Sequence, residues 1–303
     1  MGHSYRTAVT PVLKAGACMR RAAALLAMAC ALHASAGART VTDELGRKVE
    51  VPAHPHRLIC LLPNIVDDVY ALGAGDDIVA VSDYSQYPAA ALSKPSVGPP
   101  LSPSIEKIVA LEPDLVLLDA ELNSADALSQ LEKAHVTVFV IEPHGVEGIY
   151  KSILNLGVAL DREPQARSLV DRLRARVAAI RQRVDGKPAV GVLLPIWYDP
   201  VLTIGRRSFL SELIQIAGGR SVTDDLAQEW SQISLESVVA RAPQALLLVR
   251  GTALSADMLR SRPGWETLQA VKNKRIYYTD ERLESPSPVA FDALEELARQ
   301  FHP

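Results

Sequence analysis

The segment SIEKIVALEPDLVLL (104–118) returns 130 residues later as SLESVVARAPQALLL (234–248). The two copies share Ser104/Ser234, Glu106/Glu236, Val109/Val239, Ala110/Ala240, Pro113/Pro243, Leu117/Leu247 and Leu118/Leu248. Each reads as a short helix opened by Ser-x-Glu, a proline that stops it, and a buried apolar strand. Copies this far apart imply two similar α/β lobes and not a solenoid, whose periods run about 20–50 residues. Helix–proline–strand junctions are common enough to coincide by chance. A glutamate at the same place in each copy argues instead for a true repeat.

A chain of 303 residues, 48% hydrophobic, can bury one large core or two medium ones. Residues 1–36 differ from the rest: they hold no Asp or Glu, carry Arg20 and Arg21, and then run AAALLAMACAL before Ala34-Ser35-Ala36. A basic start, an apolar run and an A-x-A site predict a secretory signal peptide cleaved after Ala36. The run is too short to span a bilayer. Met19 stands immediately before the arginine pair and is an alternative start. Cys30 allows a lipoprotein reading, although Ala27-Met28-Ala29 is a poor match to the residues that usually precede a lipidated cysteine. Cleavage would remove Arg6, Lys14, Arg20 and Arg21 and no acidic residue, so the mature chain is more acidic than the whole chain's −3. An acidic exported protein is a poor nucleic-acid binder. Only Cys60 survives cleavage, so no disulfide forms within the mature chain, and LICLL marks Cys60 as a small core residue.

Beyond residue 37, VTDELGRKVEVP reads as an edge hairpin. The strand RLICLLP, the helix IVDDVYALGAG and the strand IVAVSD follow, and then the first repeat copy. A helix at SADALSQLEKAH, a strand at 136–142 and the helical stretch GVEGIYKSILNLGVAL complete the first half. Residues 162–184 place Leu169, Leu173, Val177, Ile180 and Val184 at spacings of three or four, with arginines opposite, which predicts one long amphipathic helix. The pattern then restarts with one strand at AVGVLLPI (189–196), the helix SFLSELIQIAGG, the second repeat copy, a helix near GWETLQAV, the strand RIYYTD and a last helix FDALEELARQF. Alternating strands and helices imply largely parallel sheets. The expected fold is α/β: two similar Rossmann-like lobes (37–160 and 188–303) joined by a rigid helix (161–187). Lobes joined in this way should rock by small angles only, and the cleft between them is the default binding site.

The segments VTDELGRKVEVP and RLICLLPNIVDDVYALGAGDDIVAVSDYSQYP, the paired glutamate segments and the connecting helix resemble the bacterial periplasmic substrate-binding proteins of ABC importers for vitamin B12, haem and iron–siderophores. The resemblance spans about 41–301 and is nearest to the cobalamin-binding branch, through SDYSQYP, IWYDPVLTIGRRSFLSELIQIAGG and EWSQISLESVVARAPQ. It implies a helical-backbone (type III) binding protein, a monomer that holds a bulky metal-chelate ligand such as cobalamin between its lobes and delivers it to a permease dimer in the inner membrane. The ligand is cargo, and no cofactor is implied.

Glu106 and Glu236 have an ordinary explanation as first-turn carboxylates behind the N-caps Ser104 and Ser234. The resemblance adds a second: one glutamate per lobe pairs with permease arginines. The chain is only 5% aromatic, yet Tyr84, Tyr87, Trp197, Tyr198 and Trp230 fall in loops or at strand ends. They read either as rings packed under loops or as the flat, rigid contacts a macrocycle wants. By resemblance Tyr87 and Trp230 match ring-contacting positions, while Trp197 and Asp280 match cleft positions. Asp119 and Arg250 end corresponding strands, as cleft residues or as solvated termini. Where the cobalamin branch can carry tryptophan, this chain has Pro99-Pro100, and Asp119 stands where an aromatic can occur, so one wall is less aromatic. Arg250 and Arg282 would suit an anionic haem or ferric siderophore, with Tyr87 or His144 as an axial haem ligand. His54-Pro55-His56 reads as a solvated loop, and Asn64 stands where a free-metal binder needs histidine, so no metal site is expected. No G-x-S-x-G, P-loop, G-x-G-x-x-G after a strand, or H-E-x-x-H is present, so an enzyme is not expected. An exported α/β enzyme working in the cleft is the alternative of another class.

Overall fold

A computed structural model describes residues 1–2, 37–85 and 87–303. The expected leader, its cleavage site, Met19 and Cys30 lie outside them. The hairpin is present as β1 (Ala38–Thr42) and β2 (Lys48–Pro52), turned at Gly46 with φ 77°. The first half continues through β3 (Leu58–Cys60), α1 (Pro63–Ala71), β4 (Ile78–Val81), α2 (Ile105–Ala110), β5 (Leu115–Asp119), α3 (Ala125–Lys133), β6 (Val138–Ile141) and α4 (Gly145–Ala159). The long helix α5 (Glu163–Val184) follows, about 33 Å from end to end at 1.5 Å per residue. The second half comprises β7 (Val190–Leu193), β8 (Pro195–Tyr198), β9 (Val201–Ile204), α6 (Phe209–Ile216), β10 (Gly219–Ser221), β11 (Trp230–Ile233), α7 (Leu235–Arg241), β12 (Ala245–Val249), α8 (Ala256–Ser261), α9 (Gln269–Lys272), β13 (Ile276–Thr279) and α10 (Ala290–Phe301).

The repeat is structural as well as textual. One sheet runs β4-β3-β5-β6 and the other β10-β7-β12-β13, every pairing parallel, so the halves share one topology position by position. The Oγ of Ser104 caps α2 by accepting from Lys107 N at 3.3 Å, and Ser234 caps α7 through Ser237 N at 3.2 Å. Even the unusual backbone recurs, with Glu112 at φ 45° and Ala242 at φ 46°, each just before its proline. The chain is therefore two similar α/β lobes on largely parallel sheets, joined by one long helix.

The sequence gives no warning of the short strands β8, β9, β10 and β11. AVGVLLPI is not a single strand: it breaks at Leu194, after which β8 leaves the parallel sheet and pairs antiparallel with β9, which pairs with β11. Thr203 Oγ donates to Leu194 O (2.8 Å) and Thr223 Oγ to Ile204 O (2.7 Å), tying this three-stranded sheet to the lobe.

Strand alternation sorts the core. Leu58, Cys60, Leu115, Leu117, Phe139 and Ile141 of the first sheet, with Val190, Val192, Ala245 and Leu247 of the second, belong to one continuous core with α1, α4, α5, α6 and α10. The opposite sheet faces form separate clusters, around Ile59, Val116 and Val140 and around Leu193, Leu246 and Leu248. Helix α5 contributes Ala166, Leu169, Val170, Leu173, Val177 and Ile180, all buried; Val184, expected in the stripe, is only half-buried at the helix end. Residues 39–303 form one compact unit.

Polar bonds also cross between the lobes. Glu212 of α6 accepts from Val146 N of α4 at 2.9 Å, and Tyr150 stacks on Phe291 with centroids 5.7 Å apart. Buried Asp67 of α1 accepts from Ser285 Oγ (3.1 Å) and Ser287 Oγ (3.0 Å), while its other oxygen has no partner among the described residues. Burial pushes the Asp67 carboxyl up to about 6, against the pull of the two hydroxyls. The folded chain thus holds a proton that the unfolded chain has lost between pH about 4 and about 6, so Asp67 costs stability as pH rises through 6. The stability difference between wild type and Asp67→Asn should shift toward the variant by on the order of 2 kcal/mol between pH about 4.5 and about 7.5, measured by chemical denaturation. A pH-independent difference would refute it.

Candidate functional site

In parallel α/β sheets the loops at the carboxyl ends of the strands form the ligand-facing rim. In the second lobe this rim holds Trp197 and Tyr198 of β8, Trp230 of β11, Arg250 after β12 and Asp280 after β13. Trp197 pairs with Leu202 and Trp230 with Ile204, two residues apart on β9. Cross-strand partners share a face, and residues two apart point the same way. Both indoles therefore rise from one face of the small sheet, 43% and 44% exposed. Such exposure of two tryptophans on one platform is unexplained by packing.

The platform is held from below and behind. Trp197 Nε1 donates to Asp199 O at 3.0 Å, and its ring lies 4.9 Å from the Tyr198 ring. Arg262, unnoticed in the sequence, sits 4.1 Å over Tyr198 and donates to its hydroxyl at 3.0 Å. Gly205 lets the loop before β11 pack close, since a Cβ there would lie 2.2 Å from Gln228 O.

The first-lobe rim is different in kind. Tyr84 is the most exposed of the five rings and has φ 71°, a left-handed backbone uncommon for a non-glycine residue. Tyr87, also exposed, precedes a cis proline and lines a cavity of about 380 Å³ with Asp67, Tyr70, Leu173, Arg176 and Pro288. None of the other predicted site residues lines that cavity, so Tyr87 stands beside α5 and α10 and not in one enclosed pocket with the tryptophans. A second cavity, of about 400 Å³ around Arg181, Glu212 and Gln215, holds no predicted site residue either.

Asp119 is not a solvated strand end. It is buried, accepting from Asn64 Nδ2 at 3.1 Å and from Glu121 N at 2.9 Å, and burial pushes its carboxyl above the usual range. The repeat spacing places Val249, not Arg250, opposite Asp119. Beside it, two carboxylates the sequence did not single out make the rim acidic and flank the candidate His144, whose Nδ1 lies 3.0 Å from Glu121 and whose Nε2 lies 3.6 Å from Glu142. Burial raises the pKa of Glu121, His144 opposes, and Asp119, Glu229 and Glu142 add to it. Glu229 belongs to the other lobe and adjoins Trp230, so the tryptophan strand starts within electrostatic reach of this rim. The adjacent tryptophan in EWSQ was the available signal.

Two arginines at the second-lobe strand ends, Arg282 and Arg250, are already engaged. Arg282 grips Asp280 through Nε (2.9 Å) and Nη2 (2.6 Å), lowering the Asp280 pKa and raising its own. Arg250 reaches Glu296 at 3.7 Å and lies 5.9 Å from the Tyr278 ring centre. Glu106 and Glu236 are exposed in the first turns of α2 and α7, and Glu236 folds back on its own N–H and Ser234, which lowers its pKa. Cys60 is buried and its thiol pKa is raised by burial. Among the described residues no cluster of three or more His, Cys, Asp or Glu is arranged to hold a metal, and no helix is long and apolar enough to cross a membrane.

The sequence profile of the periplasmic binding proteins matches residues 58–283. The chain belongs to that family. It is 29% identical to an uncharacterised ABC transporter substrate-binding lipoprotein of Bacillus subtilis, covering 87% of this chain and 85% of the relative. It is 28% identical to the vitamin B12-binding protein of Vibrio vulnificus (84% and 93% covered). The periplasmic haem-binding protein of Roseiflexus superposes with a TM-score of 0.75 at 25% identity (82% and 98% covered). The family consists of ABC-importer substrate-binding proteins, which pair with a membrane permease and are not enzymes, and its solved members have the helix-joined two-lobe fold.

The burial of Asp119 gives a direct test. Asn64→Ala removes its side-chain donor and is expected to cost about 1–3 kcal/mol in chemical denaturation; an unaltered stability would contradict the assignment.

Proposed function

We propose that this chain is an exported, periplasmic, monomeric solute-binding component that captures cobalamin or a related corrinoid between lobes 37–160 and 188–303, hinged on 161–187. Residues 1–36 act as its signal peptide. The observation that carries the ligand reading is the shared exposed face of Trp197 and Trp230. Two rigid rings on one platform give a flat macrocycle large contact area at small entropic cost. Tyr84, Tyr87, Tyr198, Arg250 and Asp280 complete the proposed contact set.

Haem and ferric siderophores are the second reading, and several similar solved structures are named for haem or for Fe3+-hydroxamate transport. Two features of the charge distribution favour the corrinoid. An anionic ligand needs free guanidinium groups, but Arg282 is forked onto Asp280 and Arg250 faces Glu296. Glu121, Glu142 and Glu229 would also repel it. A corrinoid, whose rim carries mostly uncharged amides, needs neither arginine and finds hydrogen-bond acceptors in those carboxylates. Delivery uses Glu106 and Glu236, one per lobe, as partners for permease arginines.

Purified protein incubated with cyanocobalamin, hemin or a ferric siderophore and then desalted should retain the corrinoid spectrum. Trp197→Ala and Trp230→Ala should each weaken retention at least about tenfold, the range of buried aromatic anchors. Retention of hemin alone would transfer the assignment to the second reading, and retention of none would defeat both. Separately, Glu106→Ala/Glu236→Ala should keep ligand affinity and abolish uptake in cells; undiminished uptake would end the docking role.

A further inference from the structure

The repeat keeps residues that folding does not ask it to keep. Ser104/Ser234 are helix caps, Pro113/Pro243 end the helices, and Leu117/Leu247 and Leu118/Leu248 are fully or almost fully buried in β5 and β12. Those four identities follow from the fold. The other three, Glu106/Glu236, Val109/Val239 and Ala110/Ala240, are exposed in both lobes. They stand at i, i+3 and i+4, so each trio occupies one helix face. On the opposite face the buried residue has changed, Ile108 in one lobe and Val238 in the other, as have the strand residues Leu115/Ala245 and Val116/Leu246. The core has drifted between the copies while part of the surface has not.

Single exposed valines are ordinary on protein surfaces. Val109 at 44% and Val239 at 45% exposure are less so, because a β-branched residue on a solvated helix face gains nothing locally and costs a little propensity. A neighbouring position exposed in both lobes has diverged, Glu112 in one and Ala242 in the other, as has the 107/237 pair, an exposed Lys107 against a half-buried Ser237. What retains Glu, Val and Ala together on two separate helices is a contact made twice, by the same surface of the same partner. A two-fold partner, two copies of one subunit, presents such a surface.

We infer that Val109 with Ala110, and Val239 with Ala240, are apolar footings for the two permease subunits, each beside the glutamate that meets a cation. This inference rests on the docking role proposed above for Glu106 and Glu236, and it adds that part of each contact is insensitive to salt. Screening weakens the carboxylate–arginine pair as ionic strength rises, while apolar contact persists.

The test uses the ligand-loaded protein and the permease of its own importer in lipid nanodiscs, with affinity read at low and high salt. Val109→Ser and Val239→Ser should each weaken docking about fivefold at both salt concentrations, within the range for interface truncations. The two single variants should lose equal amounts, and the double variant should keep wild-type ligand affinity and thermal midpoint. Glu106→Ala/Glu236→Ala should lose affinity chiefly at low salt. If the serine variants dock like wild type while the glutamate variant fails, the apolar footing is wrong and the docking role stands. If the glutamate variant also docks like wild type, the docking role itself falls. Unequal losses at the two valines would overturn the two-fold argument.

Discussion

The apolar stripe of α5 is the constraint on which the molecule depends. Ala166, Leu169, Val170, Leu173, Val177 and Ile180 are buried in the same core that receives the inner faces of both sheets. Neither lobe closes its hydrophobic surface without that helix, and burying a leucine or valine fully is worth about 1.5–3 kcal/mol. A connection of this kind resists bending, because splaying the lobes would expose core. The polar contacts that cross the same region, from Asp67 to Ser285 and Ser287 and from Val146 to Glu212, add direction to an attachment that is mainly apolar. Ligand capture in such a frame depends on what the rims carry more than on large closure.

The rims differ because the lobes were elaborated differently on one topology. After β3 the first lobe passes directly into α1. After β7 the second breaks at Leu194 and inserts β8 and β9 before α6, and β11 between β10 and α7, the three pairing as a separate sheet. That insertion supplies both exposed tryptophans, and Thr203, Thr223 and Gly205 exist to seat it. The first lobe answers with carboxylates and His144, whose charges reach Glu229 at the root of the insertion.

Much of this was legible in the sequence. The repeat gave the two-lobe plan, and the spacing of Leu169, Leu173, Val177 and Ile180 gave the joining helix, because both signals are local and periodic. The antiparallel sheet was not legible. AVGVLLPI is apolar throughout, so nothing in its pattern marks where a strand leaves one sheet for another, and VLTI and WSQI are too short to declare their pairing. Asp119 was misplaced for a related reason: a carboxylate after an apolar strand reads as solvated, and its bond to Asn64 joins residues 55 apart. Arg250 reads as a free cation because its partner Glu296 becomes a neighbour only once β12 and α10 assemble, whereas the Arg282 partner, Asp280, stands two residues away and was within reach of the sequence.

The repeat also fixes where the two proposed contacts lie relative to each other. Helix α2 is entered from the carboxyl end of the first sheet and leads to the start of β5; α7 is entered from β11 and leads to the start of β12. A helix in such a connection runs antiparallel to its strands, so the first turns holding Glu106 and Glu236 lie at the cleft end of each lobe. In the second lobe only a few residues separate Trp230 from Glu236, with Ser234 capping between them. A partner seated on both helices would therefore face the mouth of the cleft.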